Sequence, residues 1–521
     1  MKVDFPHLRE LTPQEAVKLE DLPGLKVSGD SAWGTFDAIN AALIRLGKEA
    51  LRIREAYPHV KPIEVRDSEK KRLRNYQLYG VRWLSRRLRA TGSALLADDM
   101  GLGKTLQAIT LMNLAFEAKE RVLIVCPKPA MLTWRDELAK WCSVSAVIAG
   151  PGVSDKFWDS ASKATVVVCS YDHRMLDRTI ERAFGERWPY MIVLDEAHRA
   201  RGRKSQRSKK LKEVLPLATY RLALTATPQF DRPRDLWSLL SMLWPKGWSS
   251  QWNFDRAYCA GKQGEHGFEN KGVSRGSELK ARLSNLMLRR TKAEVAQELP
   301  ALTRQVRWID CTPDAAKAFN AAGMGFSKAS LHDALVATLK GKMEEAVDLA
   351  VEAKRFFLLT WMKSHAHQFA RILNMEKDTP CVLITGDLSL KQREAAIEEA
   401  RAQGKGIVAT IDSASESLNL QGIASVGIMH YLSFEPSKVA QAEARLHRLG
   451  TADPVLWYYL AMKDSADQIV MSTIVDKLDQ WTQTMDTSRR GLRHSLGDAV
   501  DGESAKKNEA EVLQALYAAW K

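Results

Sequence analysis

Between Ser93 and Met112 the chain reads SALLADDMGLGKTLQAITLM. A short apolar run, Ala94 to Ala97, meets an eight-residue stretch holding two glycines. Leu106, Ala108, Ile109, Leu111 and Met112 then follow, apolar at helical spacing. Strand, glycine turn and helix in that order are the setting of a phosphate-binding loop, and they belong to a sheet with helices packed on it. Gly101 and Gly103 allow a tight turn whose amide N–H groups face an anion, and the following helix adds the positive end of its dipole. In such a loop Lys104 places an ammonium near the outer phosphates and the Thr105 hydroxyl ligates magnesium. Position 98 carries aspartate where the usual pattern has glycine. The competing reading is a plain strand–helix turn with a capping lysine, so companions elsewhere must decide.

The strands that follow supply a frame for those companions. RVLIVCP (121–127), TVVVCSY (165–171), YMIVLDEAH (190–198) and YRLALTATP (220–228) are short, β-rich and separated by helical segments. Near-continuous apolar strands alternating with helices predict a parallel sheet covered on both faces, with ligands at the carboxyl ends of its strands. A tryptophan-rich stretch with a Gly-rich loop at 261–276 interrupts the rhythm, and helices are expected over 313–354. A second series then runs through FFLLTW (356–361), CVLITGD (381–387), GIVATID (406–412), SVGIMHY (425–431) and VLWYYLA (455–461). The predicted fold is therefore α/β, with two parallel-sheet domains separated by helical insertions. The expected boundaries are an N-terminal accessory or bracing segment 1–70, holding a helix near 39–53; a first domain 71–230; a helical insertion 231–300; a linker and protrusion 301–355; a second domain 356–480; and a helical tail 481–521.

Two motifs lie where the first domain's strands end. VLDEAH sets Asp195 and Glu196 just past a buried strand, so that Asp195 can hold magnesium and Glu196 can polarise an attacking water. Thr225 and Thr227, in LTATP, offer hydroxyls able to sense a γ-phosphate; the alternative is a turn stabilised by threonine and proline. In the second domain QAEARLHRLG (441–450) places Arg445 and Arg448 three apart, as on one helix face. Guanidinium groups there are either a solvated surface or arginine fingers that stabilise charge in a phosphoryl-transfer transition state.

In that order the sequence resembles superfamily 2 helicase-like ATPases, and specifically Swi/Snf-type double-stranded DNA translocases, from about Leu73 to Lys477. Tyr76-Gln77, DDMGLGKT, CPKPAMLTW, CSYD, DEAH, LTATP, MLRRTKAEVAQELP (287–300) and QAEARLHRLG carry the resemblance. RAYCAGKQ (256–263) and GSEL (276–279) look most like the HepA-related, annealing-helicase branch. The resemblance implies two RecA-like domains and ATP with Mg2+ as cofactors. Gln77 would read adenine, Asp98, Met100, Gly101, Leu102, Gly103, Lys104 and Thr105 would form the ATP loop, and Thr105 and Asp195 would hold the metal. Lys104, Asp195, Glu196, Arg445 and Arg448 would act catalytically, with Thr225, Thr227 and Gln441 coupling hydrolysis to motion. Asp98 is an accepted opening residue of the loop in this family. SESLNL (415–420) replaces the family's GxGLNL, so both glycines are serine and Glu416 adds a negative charge. The last motif also ends in Gly450-Thr451 rather than GQ.

The charge balance is +14, from 77 Lys and Arg against 63 Asp and Glu. For a magnesium-nucleotide protein that basicity points to nucleic acid. Eight basic residues lie between Arg199 and Lys212, where the family tracks a phosphate backbone; Arg201, Arg203 and Lys204 are the contacts expected there. The same run also reads as a solvated face or a nuclear-targeting stretch. If it touches phosphates, each lost charge weakens binding at any sequence and flattens the salt slope by about one. Lys128 and Trp134 stand where the family meets one strand, though packing explains Trp134 equally well. Six scattered cysteines without a CxxC pair, no apolar signal core and no membrane-length run predict a cytosolic or nucleoid-associated protein, nuclear if eukaryotic and not secreted. The expected function is an ATP-dependent double-stranded DNA translocase, a monomeric motor on duplex or forked DNA with protein partners reached through its termini. The alternatives are a strand-separating helicase of the same superfamily and a DNA-binding scaffold with a weakly active ATPase.

Overall fold

The computed structural model describes residues 25–28, 31–34 and 60–485, apart from 143, 203–204, 230–231, 265–266, 271, 297–298, 325–327, 415–419 and 449–450. The chain divides into two compact units, the first reaching to Val295 and the second running from Ala296 to Thr482. The helix expected near 39–53 lies outside the described residues. So do Arg203, Lys204, most of SESLNL and Gly450.

The first unit is built on a seven-stranded, all-parallel sheet. In chain order its strands are β1 (Ser93–Leu96), β2 (Val122–Cys126), β3 (Ala146–Ile148), β4 (Val166–Ser170), β5 (Met191–Asp195), β6 (Tyr220–Leu224) and β7 (Met287–Leu288). In space the order is β7-β1-β6-β5-β2-β4-β3. Every residue of β1, β2 and β4 is buried, which is why those strands read as unbroken apolar runs. Burying a Val, Leu or Ile is worth about 1.5–3 kcal/mol over leaving it exposed, so such segments belong in a covered sheet interior.

Before β1 comes a helix, Asn75–Thr91, which turns Val81, Leu84 and Leu88 inward and stops at Gly92 in the left-handed region. Residues 60–66 lie along this helix: the Ile63 amide donates to Ser85 Oγ at 2.9 Å, and Ile63 and Val65 are buried. The stretch expected as an insertion over 231–300 is helical at Pro233–Leu243, Gln251–Tyr258 and Gly276–Leu286. Its end differs from that expectation, because Met287–Leu288 pairs with β1 as an edge strand of the first sheet. Part of the expected Gly-rich loop is likewise a hairpin, Lys262–Gly264 against Gly267–Glu269.

The second unit has a six-stranded, all-parallel sheet of β8 (Leu302–Ile309), β9 (Phe356–Thr360), β10 (Cys381–Ile384), β11 (Gly406–Thr410), β12 (Val426–Met429) and β13 (Val455–Met462). Its spatial order is β8-β13-β12-β9-β11-β10. The expected linker thus begins with a strand, β8, in register with β13 from Leu302↔Val455 to Ile309↔Met462. Helices fill Pro313–Met324, Lys328–Gly341 and Met343–Ala353 as expected. No helix among the described residues is long and apolar enough to cross a membrane.

Candidate active site

The loop after β1 takes the shape its glycines permit. Gly101 and Gly103 have φ of 82° and 73°, and the helix Lys104–Leu111 starts directly after them. A Cβ on Gly103 would stand 2.3 Å from Gln77 Nε2, so glycine is needed there for close approach as well as for backbone sign. Gln77 and Tyr76 both grip the loop: Gln77 Nε2 and the Tyr76 hydroxyl donate to the Leu102 carbonyl at 3.1 and 3.0 Å. Gln77 Oε1 accepts the Arg74 amide at 2.9 Å. The residue expected to read adenine is thus held against the loop. Lys104 Nζ donates to the carbonyls of Asp98 (2.9 Å) and Asp99 (3.2 Å), inside the same turn. Burial lowers the lysine's pKa, against the raising pull of Glu196, Asp98, Asp195 and Asp99. Thr105 follows in the first helical turn, half-buried, as does Met100 in the loop.

At the end of β5, two sheet positions away, the acidic pair is tightly placed. Asp195 Oδ2 accepts Trp134 Nε1 at 2.8 Å, its Oδ1 accepts the Glu196 amide at 3.0 Å, and its carbonyl accepts the Tyr171 hydroxyl at 2.8 Å. Burial, and then the neighbouring Glu196, push the Asp195 carboxyl up to about 6. Glu196 itself sits in the left-handed region with φ 48°, a conformation a non-glycine residue holds only when its surroundings enforce it. His198 joins this pair to the next strand's turn. Its Nδ1 lies 3.3 Å from Glu196 Oε2, 3.1 Å from Thr225 Oγ1 and 3.3 Å from Thr227 Oγ1. The two threonines therefore lie within reach of one imidazole nitrogen that also approaches Glu196.

A pair of arginines that the sequence reading did not single out completes the loop. Arg290, just past β7, forks onto Asp98: Nε to Oδ1 at 2.9 Å and Nη2 to Oδ2 at 2.5 Å. Asp98 is fully buried, and Gln107 bridges the pair, with Nε2 3.1 Å from Asp98 and Oε1 2.8 Å from Arg290 Nη2. Asp98 thus faces an arginine inside the protein instead of a ligand. Arg289 holds Asp99 Oδ1 at 2.9 Å and donates to the Ala97 and Ala226 carbonyls at 2.6 and 3.1 Å. The usable signal was a charged residue in a position preceded by a buried strand, which demands an opposite charge from somewhere.

In the second unit the helix Pro436–Leu446 carries Gln441, buried, and Arg445, whose Nε donates to the Ala414 carbonyl at 3.0 Å. Glu443 on this helix accepts Arg304 twice, at 2.6 and 3.0 Å, and the Tyr459 hydroxyl. Arg448 does not share a helix face with Arg445, contrary to expectation. The helix ends at Leu446, His447 is extended with Nε2 2.8 Å from the Pro300 carbonyl, and Thr451 Oγ1 closes a turn onto the Leu446 and Arg448 carbonyls at 2.9 and 2.7 Å.

Residues 76–369 match the model of the SNF2-related domain, and residues 341–450 match that of the helicase conserved C-terminal domain. The chain belongs to the SNF2-related family. It is 29% identical over 462 residues to the SWI/SNF-related matrix-associated actin-dependent regulator of chromatin subfamily A-like protein 1 of Xenopus tropicalis, covering 83% of this chain and 47% of that protein. It is 26% identical over 441 residues to the human DNA annealing helicase and endonuclease ZRANB3, covering 79% and 40%. This chain thus spans less than half the length of those two relatives. A SWI2/SNF2 ATPase core of Sulfolobus solfataricus, solved in complex with double-stranded DNA, is 22% identical with a TM-score of 0.39, covering 83% of this chain and 97% of that one.

The nucleic-acid candidates of this SNF2-related chain are less uniform than its loop. Lys128, after β2, is exposed. Trp134 is 1% exposed, and its indole N–H is used on Asp195, so it braces the acidic pair and presents no stacking face to solvent. Packing, the alternative weighed for it, is what the structure shows. Arg201 is half-buried and lines a cavity of about 470 Å³ with Ser205, Arg234 and Trp237. Further along the basic run, Lys210 pairs with Asp177, Arg207 donates to the Arg199 carbonyl at 3.1 Å, and Lys212 lies over the Trp237 ring at 4.9 Å. Much of that run is engaged by the protein itself.

Proposed function

We propose that this protein is a DNA-dependent ATPase that uses hydrolysis to move on double-stranded DNA and remodel it, by re-annealing strands or displacing bound protein. The observation that carries the ATPase reading is the gathering, at the ends of β1, β5 and β6, of a lysine loop, a carboxylate pair and two threonines linked through His198. The hydroxyl of Thr105 and the carboxylate of Asp195 are hard oxygen donors, a set that suits Mg2+. Magnesium bound there would neutralise charge on the phosphates.

Around it, the chain's own groups divide the work. Loop amides and Lys104 bind phosphate, and Gln77, held against the loop by Leu102 and Arg74, is proposed to read the base. Glu196 orients the water, and His198 relays its position to Thr225 and Thr227. Arg445 and Arg448 are proposed to stabilise the charge that develops in transfer, with Gln441 on the same helix as Arg445 coupling that step to motion. Phosphoryl transfer to water needs little covalent chemistry, so positioning supplies most of the rate.

The DNA part rests on the basic balance of the chain and on relatives whose names describe annealing of DNA. The test is the ATPase rate with no nucleic acid, single strand, duplex, forked DNA and RNA, for the native chain, Lys104→Ala and Glu196→Gln. Both substitutions should abolish turnover and leave the chain folded. Duplex or forked DNA should stimulate the native chain more than single strand. Stimulation by single strand alone would favour a strand-separating helicase, and normal DNA binding without stimulation would favour a scaffold.

A further inference from the structure

The two arginines after β7 meet the phosphate loop in different settings. Arg290 and Asp98 form a buried pair, whereas the Asp99 side chain is 23% exposed, on the part of the loop open to solvent. Asp99 is also the residue whose carbonyl accepts Lys104 Nζ at 3.2 Å. Its carboxylate is spoken for at both oxygens: Oδ1 by Arg289 at 2.9 Å and Oδ2 by the Lys292 amide at 3.1 Å. Arg289 is anchored in turn on the Ala97 and Ala226 carbonyls, the latter between Thr225 and Thr227.

We propose that Arg289 is a positioning residue for nucleotide binding: it holds the Asp99 carboxylate away from Lys104 and cancels a negative charge where phosphates must enter. This rests on the reading of residues 98–105 as the loop that receives the phosphates of ATP. An anion approaching the loop meets amide N–H groups and the Lys104 ammonium, which favour it, and the carboxylate of Asp99, which opposes it. With Arg289 in place the Asp99–Arg289 pair is neutral overall, and the Asp99 carboxylate is committed to Arg289 and the Lys292 amide instead of Lys104. Without it, Asp99 both repels phosphate and competes for the lysine. Because Arg289 reaches Ala226 as well, it ties the loop's entry to the threonine turn, so the two keep one spacing as the lysine exchanges carbonyls for phosphate.

The charge argument separates this role from a merely structural one. Arg289→Ala should raise the KM for ATP, and the Kd for a fluorescent ATP analogue, by about tenfold, the scale of one charge acting over about 12 Å at an effective dielectric of about 20. Saturated kcat should change much less. Asp99→Asn alone should bind the analogue at least as tightly as the native chain. Combined with Arg289→Ala, it should restore Kd to within about threefold, since the pair is again neutral. If melting shows Arg289→Ala to be unfolded, Arg289→Gln replaces it with the same expectations. A Kd within about twofold of native for the single arginine variant, or a double variant as weak as the single, overturns the proposal. Lys104→Ala, measured in parallel, keeps the two readings apart. If it binds the analogue normally, the loop assignment itself fails; if it loses binding while the Arg289 series is flat, only the role of Arg289 falls.

Discussion

Replacing Arg290 by alanine removes the partner of a carboxylate that has no access to water. Asp98 is fully buried and receives both Arg290 bonds, at 2.9 and 2.5 Å, while Gln107 alone would remain to it at 3.1 Å. The same change takes a donor from Gln107 Oε1 (2.8 Å) and from the Tyr76 carbonyl, and a cation from over the Tyr76 ring. Removing one member of a buried ion pair costs about 3–5 kcal/mol, because the other charge stays buried and unpaired. Melting temperatures move by about 2–4 °C per kcal/mol in domains of 150–250 residues, and by less in larger ones, so a drop of about 5–10 °C is expected for the first unit. Differential scanning calorimetry, with urea midpoints from tryptophan fluorescence, reads that shift. The paired change Arg290→Met with Asp98→Asn removes both charges and leaves an amide that can still bond Gln107, so it should recover at least half of the loss. Arg290→Ala melting within about 1 °C of the native chain, or a paired variant no better than the single one, would refute the reasoning that this pair anchors the loop.

Two further outcomes follow from contacts already described. Trp134→Phe keeps the ring but loses the 2.8 Å bond to Asp195, and loss of such an outer partner typically lowers activity about 10–100-fold. Since that N–H holds the Asp195 carboxyl down against burial, its loss raises the pKa above about 6. The ionised fraction at a given acidic pH then falls, and the acid limb of magnesium-dependent ATPase activity should move to higher pH; an unmoved limb would show that Trp134 only packs. In the second unit, Glu443→Gln removes the charge that Arg304 grips twice and leaves a single carbonyl acceptor for Arg304 and Tyr459. Bonds to charged groups are worth about 1.5–3 kcal/mol, so urea unfolding of that unit should show a loss of about 2–3 kcal/mol, and no change would mean the helix of Arg445 is held by other contacts.

How much of this was legible follows from where each strand lies. β2, β4, β5, β9 and β11 are interior strands of their sheets, and their apolar runs announced them. Of the four edge strands, β10 is mostly buried and was read from CVLITGD, whereas β3, β7 and β8 each hid for its own reason. β3 is three half-buried residues, β7 is two residues long, and β8 spaces Arg304 and Arg307 through a stretch that is half-buried at best. An edge strand has one neighbour and one open flank, so it tolerates charge, and where it is short or half-buried, as these three are, it loses the signal that interior strands carry. The site divides in the same way. DDMGLGKT and DEAH are contiguous, so their chemistry could be read in place. Trp134 could not be assigned, since an aromatic after a strand looks alike buried or exposed, and Arg448 was misplaced by extending helical spacing past Leu446, beyond which the backbone is extended at His447.

The clamp on the loop was invisible because its members stand 192 residues apart, yet two residues near the loop had already recorded it. One is the aspartate at 98, in a loop position where a glycine would have needed no partner. The other is Gly80, a glycine in the interior of the Asn75–Thr91 helix, where it weakens the helix by about 1 kcal/mol relative to alanine. A Cβ there would lie 2.2 Å from Gln107 Oε1 and 2.7 Å from Arg290 Nη2. The glycine is the space into which the Asp98–Gln107–Arg290 network fits. Any substitution at Gly80 should therefore act on the phosphate loop through Gln107 and Arg290 before it acts on the helix.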